Sequence, residues 1–275
     1  MEGRLRKFFL RVPPLRFILR TKVVLFSILH PVSESLKWLM NSNETTNFTY
    51  RISKMNVHYL ASLIADILEV PLEKIVGYIH ELENDRELHA HLMKTIAGNS
   101  MDFESDRKFL PGRRIGWYVF ARAIKPKTII ETGVDKGLGA CILSAALKKN
   151  SEEGYPGKYY GTDINLGAGY LLSGEYQKFG EVLYGDSVNS LKKFKGKIDL
   201  FINDSNHSPE YEREEYMAIK GKLSRNSVIL SDNSHCTEEL RKFSIENKRH
   251  FIFFKENPIH HWHSGAGIGI SFVRV

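Results

Sequence analysis

The chain has 275 residues, with 39 Lys+Arg against 32 Asp+Glu and a formal net charge of +7. At 42% hydrophobic and 26% charged residues, the composition excludes a broadly disordered chain. Arg4, Arg6, Lys7, Arg11, Arg16, Arg20 and Lys22 stand against Glu2 alone in residues 1–22, so nearly all the excess charge belongs to an N-terminal arm, which argues against nucleic acid as the partner of a basic folded face.

The arm, residues 1–50, mixes these bases with Phe8, Phe9, Leu10, Leu15, Phe17, Ile18 and Leu19, and Pro13-Pro14 breaks it in two. Its longest strongly apolar run, Val23 to Leu29, is far short of the roughly 20 residues that span a bilayer. Three readings stand: an arm packed on its own domain or a second subunit, one lying on an anionic membrane, or a targeting segment. Arg16, Arg20 and Lys22 interrupt the apolar stretch and no small-residue cleavage pattern follows, which counts against the third. Cys141 and Cys236 cannot form a disulfide framework and lack zinc-ligand spacing, so a cytoplasmic location is expected, with membrane association through the arm as the variant. The sequons at Asn43, Asn47, Asn203 and Asn206 are then chance matches.

Residues 51–110 read as a small helical module. Leu60, Leu63, Ile64, Ile67 and Leu68 fall on one helical face, and Pro71 suits the first turn of a second helix with Leu72, Ile75, Val76, Ile79 and Leu82 on its apolar side. The second helix offers Glu73, Lys74, Tyr78, His80, Glu81 and Glu83, which is not the basic face of a DNA reader. A helical cap on a catalytic domain is the preferred reading.

From 111 to 275 strand and helix patterns alternate. Strands are expected at 127–131, 159–164, 181–184, 198–203 and 227–231, with helices at 138–149, 209–221 and from 237. Two more strands, 251–254 and 268–273, have no helical pattern between them and must pair antiparallel. The expectation is an α/β, doubly wound, Rossmann-like sheet of seven strands with an antiparallel last strand. In such sheets ligands sit beyond the carboxyl ends of the strands.

The first strand runs into Glu131-Thr-Gly133-Val-Asp-Lys-Gly137-Leu-Gly139. The spacing is not G-x-G-x-x-G, and no P-loop pattern occurs. Asp163 ends the second strand, where a carboxylate can accept bonds from ribose hydroxyls, and Asp186 follows the third in Tyr-Gly-Asp-Ser. This E-x-G-x-x-x-G turn, acidic strand end and Gly-Asp step resemble the class I S-adenosylmethionine-dependent methyltransferases over about 165 residues. The resemblance implies S-adenosylmethionine as cofactor, with Glu131 near the methionine amino group and Gly133 allowing close cofactor approach. It also implies that Gly137 and Gly139 shape the turn, that Asp163 holds the ribose, and that Asp186 lies by the adenine.

The fourth strand ends in Asn203-Asp204-Ser-Asn206-His207 and the fifth in Ser231-Asp232-Asn233. Neighbouring strands bring Asp204, Asp232 and Asn233 to one rim, where two carboxylates and an amide oxygen suit Mg²⁺ or another divalent cation. This set resembles the metal-dependent O-methyltransferases, catechol O-methyltransferases among them. The Asp204-x-x-His207 step resembles the macrolide-sugar O-methyltransferases and the related cephalosporin hydroxylase-like group, which implies His207 as the catalytic base. The alternative is that His207 caps the next helix.

The His260-His261-Trp262-His263 loop could touch an acceptor, bind adventitious metal, or pack Trp262 on the core. Arg113 and Arg114 read either as contacts for an anionic acceptor or as a solvated helix start. The expected activity is divalent-metal-assisted O-methylation of a hydroxyl on a sugar, glycosylated or other small natural product, with a lipid-linked saccharide as the variant, by a homo-oligomer. Alternatives are an RNA or protein methyltransferase, a hydroxylase-like relative, and a non-catalytic cofactor-binding scaffold.

Overall fold

The computed structural model describes residues 8, 10–46, 49–100 and 102–274. Arg4, Arg6, Lys7 and Phe9 of the basic arm and the sequon residue Asn47 lie outside the described residues.

Helix α1 (Pro13–Asn41) starts at the Pro-Pro pair, where a missing N–H costs nothing, and carries Pro31 inside. At 29 residues it is about 43 Å long. Of its residues only Glu34 is buried, and Phe17 and Phe26 are 70% and 82% exposed. Its end is tied down: the Ser42 hydroxyl and the Asn43 N–H donate to the Asp106 carboxylate at 3.1 and 2.8 Å. Packing on its own domain is thus confined to the last turns, and the stretch from Phe17 to Leu29 projects exposed apolar side chains. Among the described residues, no helix is long and apolar enough to cross a membrane.

Three helices follow, α2 (Lys54–Leu68), α3 (Leu72–Glu83) and α4 (Arg86–Ala97). Ser53 caps α2 and Asp85 caps α4, each accepting a backbone N–H three residues on. Helix α4 was not expected, because between polar residues it shows only Leu88, Leu92 and Ile96 as a buried stripe. Leu60, Ile64, Ile75, Ile79, Leu88 and Leu92 share one buried core with strand residues Ile129, Leu200, Val228 and Ile268. The helices are one layer on the sheet, with α5 (Arg114–Ile124) and α6 (Leu138–Glu152) beside them.

The short strand β1 (Arg51–Ile52) pairs antiparallel with β8 (Pro258–Ile259). The main sheet holds β2 (Thr128–Thr132), β3 (Lys158–Asp163), β4 (Gly180–Tyr184), β5 (Ile198–Asn203), β6 (Leu223–Ser231), β7 (His250–Lys255) and β9 (Gly267–Phe272). Its order is β4-β3-β2-β5-β6-β9-β7; β2 to β6 are parallel, and β9 runs antiparallel to both its neighbours. The expected seven strands and antiparallel last strand are present. Helices α7 (Ser187–Lys193), α8 (Pro209–Ile219) and α9 (Glu239–Glu246) follow β4, β5 and β6.

Between β3 and β4, where the sequence shows no helical pattern, the chain makes a loop and one 3₁₀ turn, Tyr176–Phe179. Gly169 and Gly174 there have φ of 77° and 58°, and the Gly169 N–H donates to the Asp135 carbonyl at 2.6 Å, so the loop folds back on the β2–α6 turn.

Register builds the rim. Thr132 pairs with Asn203 and Asn203 with Ser231, so the next residues, Gly133, Asp204 and Asp232, emerge side by side. Two cross-links hold them level: Asp204 N–H to the Thr132 carbonyl and Asp232 N–H to the Asn203 carbonyl, both 3.0 Å.

Candidate active site

A cleft of about 630 Å³ opens at this rim, within the range of small-molecule sites. Gly133, Asp163, Asp186, Asp204 and His207 line it, joined by Arg113 and Arg114.

Gly133 has φ of 80°, and a Cβ there would overlap the Asp204 carbonyl, so its first duty is to let two backbone turns meet. Gly139 leaves space for Glu131 and Trp117: a Cβ would lie 2.7 Å from the Trp117 ring. Gly137, at φ 97°, is the N-cap of α6 and packs against Gly169. Gly137 and Gly139 therefore shape the turn from behind the cleft.

Glu131 is buried beneath the rim and takes a 2.6 Å hydrogen bond from the Tyr159 hydroxyl. Burial pushes its carboxyl up to about 7, against the opposing pull of Tyr159, Arg114 and Arg113. Asp163 accepts three backbone N–H groups, from Val134 and Asp135 at 3.0 Å and from Asn165 at 2.8 Å. A carboxylate has about four acceptor sites, so a rigidly held Asp163 keeps one for a ligand. Asp186 caps α7 through the Asn189 N–H at 2.7 Å and accepts the Tyr211 hydroxyl at 2.7 Å.

Asp204, His207 and Asp232 present ligand atoms that all lie within 4.8 Å of one another. Asn233 stands beside them, fully buried, donating to the Asn206 carbonyl at 3.2 Å while its Oδ1 has no hydrogen-bond partner. Ser208, whose hydroxyl accepts the Tyr211 N–H, caps α8, so His207 does not serve as the cap.

Arg113 is only 4% exposed, which rules out the solvated helix start. Its Nη2 donates to Asp232 Oδ2 at 2.9 Å and lies 3.5 Å from Asp204 Oδ2, and its Nε is 2.7 Å from Asp232 Oδ1. Burial opposes the Arg113 charge, but Asp232 and Asp204 outweigh it and hold its pKa well above the ordinary value. Burial and then the Asp232 charge push the Asp204 carboxyl well above the usual range, with Arg113 and Arg114 pulling the other way. Tyr50 extends this chain: its hydroxyl donates to Glu256 at 2.7 Å and accepts from Arg113 at 3.3 Å.

Under the rim lies a second acidic pair that sequence reading passed over. Glu215 accepts Thr132 at 3.0 Å and Ser205 at 2.7 Å, and also Ser187 and Asn203. Glu212 accepts Tyr216 at 2.5 Å and Ser231 at 3.2 Å, together with Thr237. Two carboxylates on α8 thus tie together the turns after β2, β4, β5 and β6. A signal was present: Glu212, Glu215, Tyr216 and Ile219 share the spacing of one buried helical face.

The His260–His263 loop meets α1. Trp38 lies edge-on to His261 and Trp262 at centroid distances of 5.9 and 5.7 Å, and Tyr50 packs on His261 and His263. Burial lowers the His261 pKa to about 4, so its ring is neutral.

The donor set fits a hard divalent cation: two carboxylates and an exposed imidazole converge, and Asn233, next in the chain to Asp232, has a buried amide oxygen without a hydrogen-bond partner. The cleft, with Gly133, Asp163 and Asp186 on its wall, suits a nucleoside-sized cofactor.

Residues 130–234 match the family model described as "Methyltransferase domain". No curated protein matches the chain in sequence. Among solved structures, a methyltransferase from Geobacter sulfurreducens is similar at 14% identity, covering 74% of this chain and 98% of its own, with a TM-score of 0.50. The Podospora anserina methyltransferase PaMTH1 bound to SAH is 18% identical over 74% of this chain and 95% of its own, with a TM-score of 0.47. An O-methyltransferase from Bacillus cereus in complex with SAH is 13% identical, covering 67% and 91%, with a TM-score of 0.46. The chain therefore carries a methyltransferase domain, built on the class I fold of S-adenosylmethionine-dependent methyltransferases.

Proposed function

We propose that this protein is a divalent-cation-assisted O-methyltransferase that uses S-adenosylmethionine on a hydroxyl of a sugar or other small natural product. The observation carrying this reading is the convergence of Asp204, His207 and Asp232 on the rim of the cleft that Gly133, Asp163 and Asp186 line. S-adenosylmethionine would supply an electrophilic methyl group. Mg²⁺ held by Asp204, Asp232 and Asn233 would make an acceptor hydroxyl more acidic. His207 takes the hydroxyl proton; it is exposed to the cleft and has no capping duty. Arg113 keeps Asp232 in place and balances part of the acidic charge. The cleft that His207 lines is of small-molecule size, and the near-neutral body counts against RNA.

The test is methyl transfer to a panel of glycosylated acceptors, read by product mass. Chelation and Asp204→Ala should each abolish turnover while calorimetry shows cofactor binding retained. Full activity in EDTA overturns the role of the cation, and a product gaining oxygen instead of a methylene overturns methyl transfer in favour of hydroxylation.

We further propose that α1 rests on an anionic bilayer surface. From residue 10 to 33 this helix and the residues just before it carry Arg11, Arg16, Arg20 and Lys22 and no acid, among exposed Phe17, Val23 and Phe26. That charge complements acidic headgroups and would repel a parallel copy of itself.

A further inference from the structure

We propose a second metal site on the same rim, formed by His207, His235 and Cys236 and suited to a thiophilic ion of the zinc class. One ligand atom from each residue lies within 4.8 Å of the others, and all three residues are exposed. Zinc bonds of about 2.0–2.3 Å need somewhat closer ligands, and surface side chains can close that gap without moving the core. Two imidazoles and a thiolate are softer donors than the carboxylates of the neighbouring cluster, and three protein ligands leave one position open.

The surroundings orient the ligands. His235 Nδ1 lies 2.7 Å from the Asp232 carbonyl oxygen, an acceptor only, so Nδ1 donates there and Nε2 keeps its lone pair for an ion. The His207 and His235 rings stand 6.1 Å apart at 79°, so they do not stack against each other. Cys236 ends the 3₁₀ turn after β6, with its N–H on the Asn233 carbonyl at 2.7 Å. The other thiol, Cys141, is buried and donates to the Leu171 carbonyl at 2.9 Å, so it cannot compete.

His207 belongs to both clusters, so a zinc-class ion would withdraw it from the acceptor. Inhibition by zinc follows, a consequence that rests on the reading of His207 as the base.

Co²⁺ titrated into the reduced full chain tests the site without any activity measurement. The expected result is a thiolate-to-cobalt charge-transfer band that saturates at one ion per chain and is displaced by Zn²⁺. Cys236→Ser should abolish the band and weaken zinc at least about tenfold, and His235→Gln should weaken zinc similarly. Cys141→Ser and Asp204→Asn should keep the band. Absence of a band, or a band that survives in Cys236→Ser, overturns the site. A band combined with undiminished methyl transfer in saturating zinc upholds the site and removes His207 from the role of base.

Discussion

Arg113 grips Asp232 by both oxygens, with Nη2 donating to Oδ2 at 2.9 Å and Nε 2.7 Å from Oδ1. The guanidinium is the built-in cation of a rim that would otherwise hold two close carboxylates. Arg113→Met should cost about 3–5 kcal/mol at neutral pH, because it leaves buried charge uncompensated. One carboxyl would then take up a proton, and added Mg²⁺ should recover part of the loss. Thermal unfolding with and without Mg²⁺ measures this. An equal response of variant and wild type would show that Arg113 is not what balances the pair.

Glu131 gives the fold a pH dependence. Its carboxyl stands at about 7 when folded and near the ordinary 4.5 when unfolded. Between those values the native state binds the extra proton, so stability is fullest below about 4.5 and falls as pH rises through 7. The loss is about 3 kcal/mol. Glu131→Gln keeps an acceptor for Tyr159 and removes the titration. Denaturant unfolding from pH 4 to 8 should show the variant gaining on wild type across that window. Parallel curves would place the titration elsewhere.

The alternation of strands and helices was legible because short β-branched runs such as Thr128–Ile130 are too short and too uniform for an amphipathic helix. The rim was legible for the same reason, since parallel register carries Asp204 and Asp232 to adjacent strand ends. Arg113 was not legible. It comes from ahead of α5, and only the tertiary fold turns its side chain under the rim. The roles given to Gly133 and Asp163 were half legible: both line the cleft, yet Gly133 serves the Asp204 backbone and Asp163 holds the Val134–Asp135 turn. Local spacing shows that a turn is tight but not which neighbour makes it so.

Glu215 should be the most sensitive position outside the cleft. Its carboxylate takes hydrogen bonds from Thr132, Ser187, Asn203 and Ser205, which come from three different rim turns. Glu215→Ala should lose at least about 3 kcal/mol, since it orphans several buried donors at once. Glu215→Gln should also weaken cofactor binding, because an amide N–H must face one of those donors. Unfolding and calorimetry on both variants decide this; two neutral variants would mean that the turns hold without the carboxylate.

Helix α1 carries the last expectation. Each base near an anionic surface contributes about 1 kcal/mol, so Arg11, Arg16, Arg20 and Lys22 together contribute about 4 kcal/mol, or roughly a thousandfold in partitioning. Removal of residues 1–30 should abolish sedimentation with phosphatidylserine vesicles and leave methyl transfer to a soluble acceptor intact. Charge reversal at Arg16 and Arg20 should weaken binding strongly, and Phe26→Glu should do so through the apolar side, since Phe26 is 82% exposed. Binding should also fall as salt rises, because screening shortens the reach of these charges. If the full chain ignores anionic vesicles but forms a dimer that truncation disperses, the apolar stretch of α1 is covered by a second subunit and not by lipid.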